Sequence, residues 1–279
     1  MINLYRHRTI AWAVNRFVFR HPRLRRALTR LVVRPRERWV DLLGARLLVH
    51  SIEEIGYDRA AAAQQAAVVL RDEVPSLLTI CGLVGPTTTF VDCGANVGLF
   101  TAVVGRLHPI FPGLSLHAIE PHPETVRRLR AAVDGIATVH AVALSDRDGT
   151  IAMHPGAVSG VFSAHSGSAG LGVAPVEVPC RRLDGMPIAG DDLLLKIDVE
   201  DHESEVLAGA AGWFAAGRVA AVFVDGARDR DAVAATLRGH GFSVVDGHRL
   251  GPITTETHKL LALRAPRAEP QVDSERRSP

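Results

Sequence analysis

From residue 88 onward, short apolar runs alternate with stretches whose apolar positions recur at helical spacing. The runs lie at 90–92, 116–120, 139–144, 193–198 and 220–225. Between them come a helical pattern from about Asn96, one opened by Pro123 with Val126, Leu129 and Val133 on a single face, one carrying Val206, Leu207, Ala210 and Trp213, and one ending at His240-Gly241. Strands alternating with helices at this spacing predict right-handed βαβ units and an α/β fold with a mostly parallel, doubly wound sheet. Segments 242–245 and 259–263 have no helix between them, so they are expected as a terminal antiparallel pair. Upstream, the period shortens towards alternation over 40–51, which predicts a strand or hairpin. Asp58 is then expected to cap an Ala-rich helix that runs towards Asp72 and is ended by Pro75. Residues 1–34 place Leu4, Ile10, Val14, Phe17, Val18, Leu24, Leu28 and Leu31 among arginines, a pattern for two short basic amphipathic helices interrupted at His21-Pro22.

One stretch breaks the alternation. Residues 154–175 hold five Gly and four Ser between the strand-like segments 150–153 and 176–180. A loop of that length in a compact domain is usually functional or disordered, so a substrate-facing lid and a plain hairpin tip both remain open. Residues 265–279 form a polar tail without core-forming positions. The division expected is a basic arm at 1–40, a strand and helix extension at 41–84, an α/β domain at 85–265 and a disordered tail at 266–279.

Charge sharpens this division. The 279 residues carry a net charge of +2, but residues 1–40 hold eleven Arg against Glu37 alone, net +10, which leaves net −8 on the rest. A basic arm sits on an acidic body. Lys196 and Lys259 are the only lysines beside thirty arginines, a bias that reads as coding habit. Three cysteines without a C-x-x-C spacing suggest neither a disulfide framework nor a thiolate zinc site. The early apolar stretch at 10–14 is far shorter than the ~20 residues that span a bilayer, so a cytoplasmic location is expected. Transit sequences are also Arg-rich and acid-poor, but this segment has almost no Ser. The arm suits packing on the body, a lid or dimer contact, or, through residues 1–38, peripheral contact with an anionic inner membrane surface.

Three motifs carry candidate chemistry. The first is Asp92-Cys93-Gly94-Ala95-Asn96-Val97-Gly98, an apolar strand entering a Gly-containing turn and then a helix. Glycines permit close backbone approach, and exposed N–H groups attract anions. Neither G-x-G-x-x-G nor G-x-x-x-x-G-K-[ST] is present; an acid followed by G-x-x-x-G suits a ligand with a positive group near the turn. The second is Glu120, at the end of the next strand, where an acid accepts hydrogen bonds from ribose hydroxyls in doubly wound folds. The third is the run 194–203 (LLKIDVEDHE), which brings Lys196, Asp198, Glu200, Asp201, His202 and Glu203 to the edge of the sheet where ligands bind.

Together these strings resemble the FkbM family of S-adenosylmethionine-dependent methyltransferases over about residues 85–265. They are the D-x-G-A-N-x-G turn at 92–98, A-I-E-P-x-P at 118–123, A-L-S-D at 143–146, L-L-K-I-D-V-E at 194–200 and E-V-L-x-G-A at 205–210. The resemblance implies a Rossmann-like class I methyltransferase fold with S-adenosylmethionine as cofactor. It places the methionine carboxylate against backbone N–H groups of Gly94, Ala95 and Asn96 in the turn closed by Gly98, and its amino end at Asp92. It further puts the ribose at Glu120, the adenine beside Ser145 or Asp146, and the transferring methyl near Asp198. The family usually has Gly directly after the motif glutamate, where this chain has Asp201, and the next strand here ends in Val-Asp-Gly at 224–226.

Alkylation of a hydroxyl gains from a base, typically ~10²–10⁴-fold. The candidates are His202, whose unperturbed imidazole titrates near neutrality, with Asp198 and Glu200. A divalent ion on Asp198, Glu200 or Asp225 is an alternative; no metal site is assigned. The chain lacks the [DN]-P-P-[YFW] string of many amide- and amine-directed methyltransferases, which favours oxygen. The resemblance points to hydroxyls of sugars, glycolipids or polyketide-like secondary metabolites. Two other classes are weighed: a nucleic-acid methyltransferase, motivated by the arginine arm though without an aromatic stacking platform, and a noncatalytic binding protein on the same fold.

Overall fold

The computed structural model describes residues 34–63, 68–155, 162–163 and 174–264. Residues 1–33 of the basic amphipathic arm, the tail from 265 and most of the Gly/Ser-rich stretch lie outside the described residues, while residues 37–40, expected in the arm, open β1. Among the described residues no helix is long and apolar enough to cross a membrane.

Seven strands form the central sheet: β3 (Thr89–Cys93), β4 (Ser115–Ile119), β5 (Thr138–His140), β10 (Leu193–Ile197), β11 (Val219–Asp225), β12 (Phe242–Asp246) and β13 (Lys259–Arg264). Their spatial order is β12-β13-β11-β10-β3-β4-β5. All pair parallel except β13, which slots antiparallel between β11 and β12. This is the doubly wound arrangement with the terminal antiparallel pair read from the sequence. The order turns back between β3 and β10, which opens a crevice at the carboxyl ends of those two strands.

Helices cover both faces, which explains why β3 and β10 are buried at every position. On one face α3 (Leu99–Gly105) and α4 (Pro123–Ala132) pack with the hairpin of β1 (Glu37–Leu42) and β2 (Ala45–His50) around Phe90, Leu116, Leu194 and Phe223. On the other, α5 (Glu203–Gly209), α6 (Ala211–Ala215) and α7 (Arg230–Gly239) enclose Val91, Leu195, Ile197 and Val222.

Three expectations need correction. Asp58 does not cap the upstream helix: α1 (Ile55–Ala63) starts earlier, and Asp58 in its first turn accepts a hydrogen bond from Arg38. Pro75 does not end the next helix either, because α2 (Val68–Leu83) runs through it. Proline removes one donor and crowds the preceding turn. Here the nearby Asp72 carbonyl accepts from Ser76 Oγ (3.4 Å) and Lys259 Nζ (3.3 Å), while Leu77 and Ile80 bury the second half of the helix. Finally, 139–144 is not one strand. The chain leaves the central sheet after β5 and begins a second one at β6 (Ala143–Leu144), which pairs parallel with β9 (Val176–Arg181). β7 (Gly149–Pro155) completes it antiparallel to β9 and to the short β8 (Phe162–Ser163). The strand pair flanking the Gly/Ser-rich stretch is therefore real.

The N-terminal extension is locked to the catalytic layer by a buried ion pair. Arg128 on α4 donates to Glu54 at 2.7 Å, with side chains 5% and 1% exposed. Removing one partner strands the other charge, so Arg128→Met is expected to cost about 3–5 kcal/mol in urea denaturation. Removing both with Glu54→Leu should recover most of that loss.

Candidate active site

The turn after β3 is shaped by how closely it meets the end of β10. Gly94 has φ +79, and a Cβ built there would lie 1.8 Å from the Asp198 carbonyl oxygen. No side chain fits. The Asp198 amide in turn donates to the Cys93 carbonyl at 3.0 Å. Gly98, also left-handed at φ +89, caps α3 where a Cβ would sit 2.7 Å from Leu129; its role is to admit α4.

Lys196 fastens this junction. Opposite Asp92 in the parallel β3–β10 register, its ammonium donates to the Gly94 carbonyl at 3.1 Å and sits 3.2 Å from Asp92 Oδ1 and 3.3 Å from Asp198 Oδ2. The Asp92 contact is an ion pair without well-aligned hydrogen-bond geometry, since Oδ1 has no hydrogen-bond partner. Phe100 presents its ring face 5.0 Å away. Burial alone would discharge this lysine, but Asp92, Asp198 and Asp225 more than offset that and hold it cationic.

At the turn, Asp92 is fully buried, and its second oxygen accepts from Thr101 Oγ1 (2.7 Å) and Thr101 N (3.2 Å). The N–H groups of Gly94, Ala95 and Asn96 are also committed. The first two donate to the Ile119 carbonyl (2.9 and 3.0 Å) and the third to Glu120 Oε2 (3.1 Å). The end of β4 thus uses the donors that the resemblance offered to a carboxylate.

A cleft opens beside the turn, bordered by Gly94, Asn96, Glu120, Asp198, Glu200 and His202. Ala95 is buried behind it. Glu120 is held by its two backbone donors, with Oε1 accepting from His122 N at 3.0 Å. Burial nonetheless pushes its carboxyl up to about 7. The opposite wall is an apolar slot of Val142, Ala143, Leu144, Ile151 and Met153. Ser145 and Asp146, expected beside an adenine, do not border it. Ser145 is buried and bonds Asp146 and the His202 Nε2 (3.2 Å), while Asp146 turns outward to Arg147. Ile151 and Met153 on β7 were missed, as were Pro121 and Thr125. Only the alternation at 150–153 hinted at them.

The candidate bases separate in space. Asp198 keeps 36% of its side-chain surface at the cleft floor; burial raises its pKa, Lys196 lowers it, and Asp225 raises it again. Glu200 stands exposed at the rim with φ +54. His202 is engaged by Ser145 on the slot side and has Glu205 3.4 Å from Nδ1. Asp201 has φ +72, which is the physical reason glycine suits that position. Its carboxylate is held by Arg228 at 2.7 Å. Among the described residues no group of three or more His, Cys, Asp or Glu is arranged to hold a metal ion, and Asp225 is bound by Lys259. Sequence reading also passed over Glu73 on α2, whose Oε2 is buried without a partner.

Two outcomes follow. Gly94→Ala should be more damaging than Gly98→Ala, because backbone cannot yield where the Leu129 side chain can; left-handed backbone alone costs about 1–2 kcal/mol, and thermal denaturation of both variants measures the difference. The second concerns pH. Below about 4.5, the ordinary value, Glu120 is protonated folded or unfolded. As pH rises towards 7 the unfolded chain ionises while the buried carboxyl keeps its proton, so stability falls. Ligand-free protein should therefore lose stability from pH 4.5 to 7, and Glu120→Gln should remove roughly 2–3 kcal/mol of that loss.

Residues 92–244 match the Methyltransferase FkbM domain family, over half of the chain. The chain is 33% identical over 222 residues to the 31-O-demethyl-FK506 methyltransferase FkbM of Streptomyces tacrolimicus, covering 64% of this chain and 82% of that one. Solved structures resembling it include a TehB-like S-adenosylmethionine-dependent methyltransferase from Corynebacterium glutamicum (TM-score 0.43, 12% identity, 74% of this chain and 91% of that one). Another is an S-adenosylmethionine-dependent methyltransferase from Aquifex aeolicus (TM-score 0.39, 14% identity, 73% and 96%). The family match and the Streptomyces relative agree with the motifs and the sheet order: the chain belongs to the FkbM family of S-adenosylmethionine-dependent methyltransferases.

Proposed function

We propose that this methyltransferase acts on a hydroxyl oxygen of a small molecule, a sugar, glycolipid or polyketide-like metabolite. The observation that carries the reading is the cleft at the switch point, which joins the Glu120 carboxylate, an apolar slot and the Asp198 carboxylate in one continuous wall. Two features support oxygen: the chain lacks an [DN]-P-P-[YFW] string, and its Streptomyces relative is named for an O-demethyl substrate.

The residues fit the cofactor. Glu120 retains acceptor capacity for ribose hydroxyls after its two backbone bonds. Val142, Leu144, Ile151 and Met153 offer the apolar faces an adenine needs. S-adenosylmethionine, when bound, supplies a methyl group on a sulfonium sulfur that keeps the electron pair as the methyl leaves. The protein's part is positioning, which can contribute roughly 7–11 kcal/mol, and receipt of the hydroxyl proton. Asp198, at the cleft floor, and Glu200, at the rim, are placed to receive it. His202 is proposed for the same role or, through its bond to Ser145, for orienting the slot wall. The buried Ser145 and the outward Asp146 act through that wall.

Calorimetric titration with S-adenosylmethionine should show binding that weakens at least about tenfold in Glu120→Ala, the loss of about one charge-assisted hydrogen bond. Labelled methyl should then pass to a hydroxyl acceptor, with 31-O-demethyl-FK506 and a panel of sugars as probes, and Asp198→Ala should lower turnover by about 10²-fold or more. Absence of cofactor binding, or a methyl recovered on nitrogen, removes the reading. Residues 1–33 of the arm lie outside the described residues, and its contact with anionic membrane is proposed from charge and spacing. Liposome sedimentation with and without residues 1–38 tests it, and equal sedimentation ends it.

A further inference from the structure

We infer that Glu73, on α2, holds a hydroxyl of the acceptor on the β11 side of Asp198, and that its surroundings select an uncharged, hydroxylated acceptor over an anionic one. The inference rests on the hydroxyl-acceptor reading above and adds a residue and a specificity to it. α2 is fastened to the carboxyl end of β11 through Lys259. That ammonium donates to the Asp72 carbonyl (3.3 Å) and Ser76 Oγ (3.1 Å) on the helix, and it also binds Asp225. Glu73 and Ser76 are neighbours at i and i+3 on the helix surface, so the same fastening delivers Glu73 to this edge. The charges acting on Glu73 are those of Lys259, Asp225, Asp198 and Lys196. Tyr57 on α1, whose phenol is held well above its ordinary value first by burial, lies in the field of Glu73, Lys196 and Asp198. Both helices of the N-terminal extension thus bring a polar group to the ends of β10 and β11, and neither group borders the cofactor cleft.

Two observations point to what fits there. Glu73 Oε2 is buried and has no hydrogen-bond partner among the described residues. The nearby donors are engaged elsewhere: Ser76 with His248 and Lys259, and Lys259 with Asp72, Ser76 and Asp225. A carboxylate oxygen in that state destabilises the fold unless a donor arrives, and an acceptor hydroxyl is such a donor. Burial is also the main reason the carboxyl is pushed up to about 7; a hydroxyl donating to the ionised form brings it down again. The second observation is charge. Once ionised, Glu73 joins Asp92, Asp198 and Asp225 around Lys196 and Lys259, four carboxylates against two ammoniums. A phosphate or carboxylate on the acceptor would add a further negative charge where water is scarce. Hydroxyls add donors and no charge.

Glu73→Gln keeps the shape of the side chain and removes its charge. In calorimetric titration it should bind S-adenosylhomocysteine within about twofold of the unaltered protein, as expected for a residue that shares no contact with that ligand. It should melt higher than the unaltered protein at pH 8, where the unfolded carboxylate is ionised and the buried one is penalised, and level with it at pH 4, where both are protonated. For transfer, labelled S-adenosylmethionine and enzyme are added to a metabolite extract of cells lacking this gene, and the products are separated by anion exchange. The label should enter an oxygen of a product that the anion exchanger does not retain, and Glu73→Gln should slow its entry at least about tenfold, the loss of about one hydrogen bond to a charged group. Label on a retained, anionic product overturns the inference, as does an unchanged rate in Glu73→Gln. So does a variant that melts lower at pH 8 or loses S-adenosylhomocysteine along with the rate, since either marks a structural role. Each of these leaves the hydroxyl reading standing. If the unaltered protein places no label on oxygen in any fraction, the hydroxyl reading fails and the inference with it.

Discussion

A lysine with almost no water around it holds the centre of this protein together. Lys196 lies across the carboxyl ends of β3 and β10, tied to Asp92, Asp198 and the Gly94 carbonyl. A buried ammonium is tolerated only where opposite charge and hydrogen bonds replace its hydration. The two strands that flank the switch point therefore end at a fixed separation, and the turn between β3 and α3 is pressed onto the β10 end until only glycine fits. The cleft takes its floor from this clamp. Asp92, an acid at the strand end before a glycine turn, serves the clamp.

The rest of the cleft depends on the chain changing sheets. After β5 it turns away from the central sheet and starts the second one at β6, with Val142, Ala143 and Leu144 on the passage. β7 then brings Ile151 and Met153 to the same wall. The cleft is thus shared between a polar edge, made by the ends of the parallel strands, and an apolar wall, made by a small antiparallel sheet. Nucleoside ligands have that same division into hydroxylated and aromatic parts. The hairpin and helices before residue 85 pack on one face of the central sheet, held by the Arg128–Glu54 pair and by Lys259, which reaches the Asp72 carbonyl, Ser76 and Asp225.

The sequence by itself determined the alternation of strands and helices, the terminal antiparallel pair, the hairpin and the family, because each is written in local periodicity or in short ordered strings. It also determined that Gly94, Asn96, Glu120, Asp198, Glu200 and His202 would gather, since strand ends of a parallel sheet share one edge. Only the tertiary structure decided what each does there. Whether an acid faces a ligand or a lysine, and whether a backbone N–H is offered or already used, depends on neighbours far away in sequence: Thr101 and Lys196 for Asp92, Ile119 and Glu120 for the turn amides. Hydrogen-bonding capacity at a site is finite and is taken first by the fold, so spacing locates the polar groups while packing decides which of them remain for a ligand.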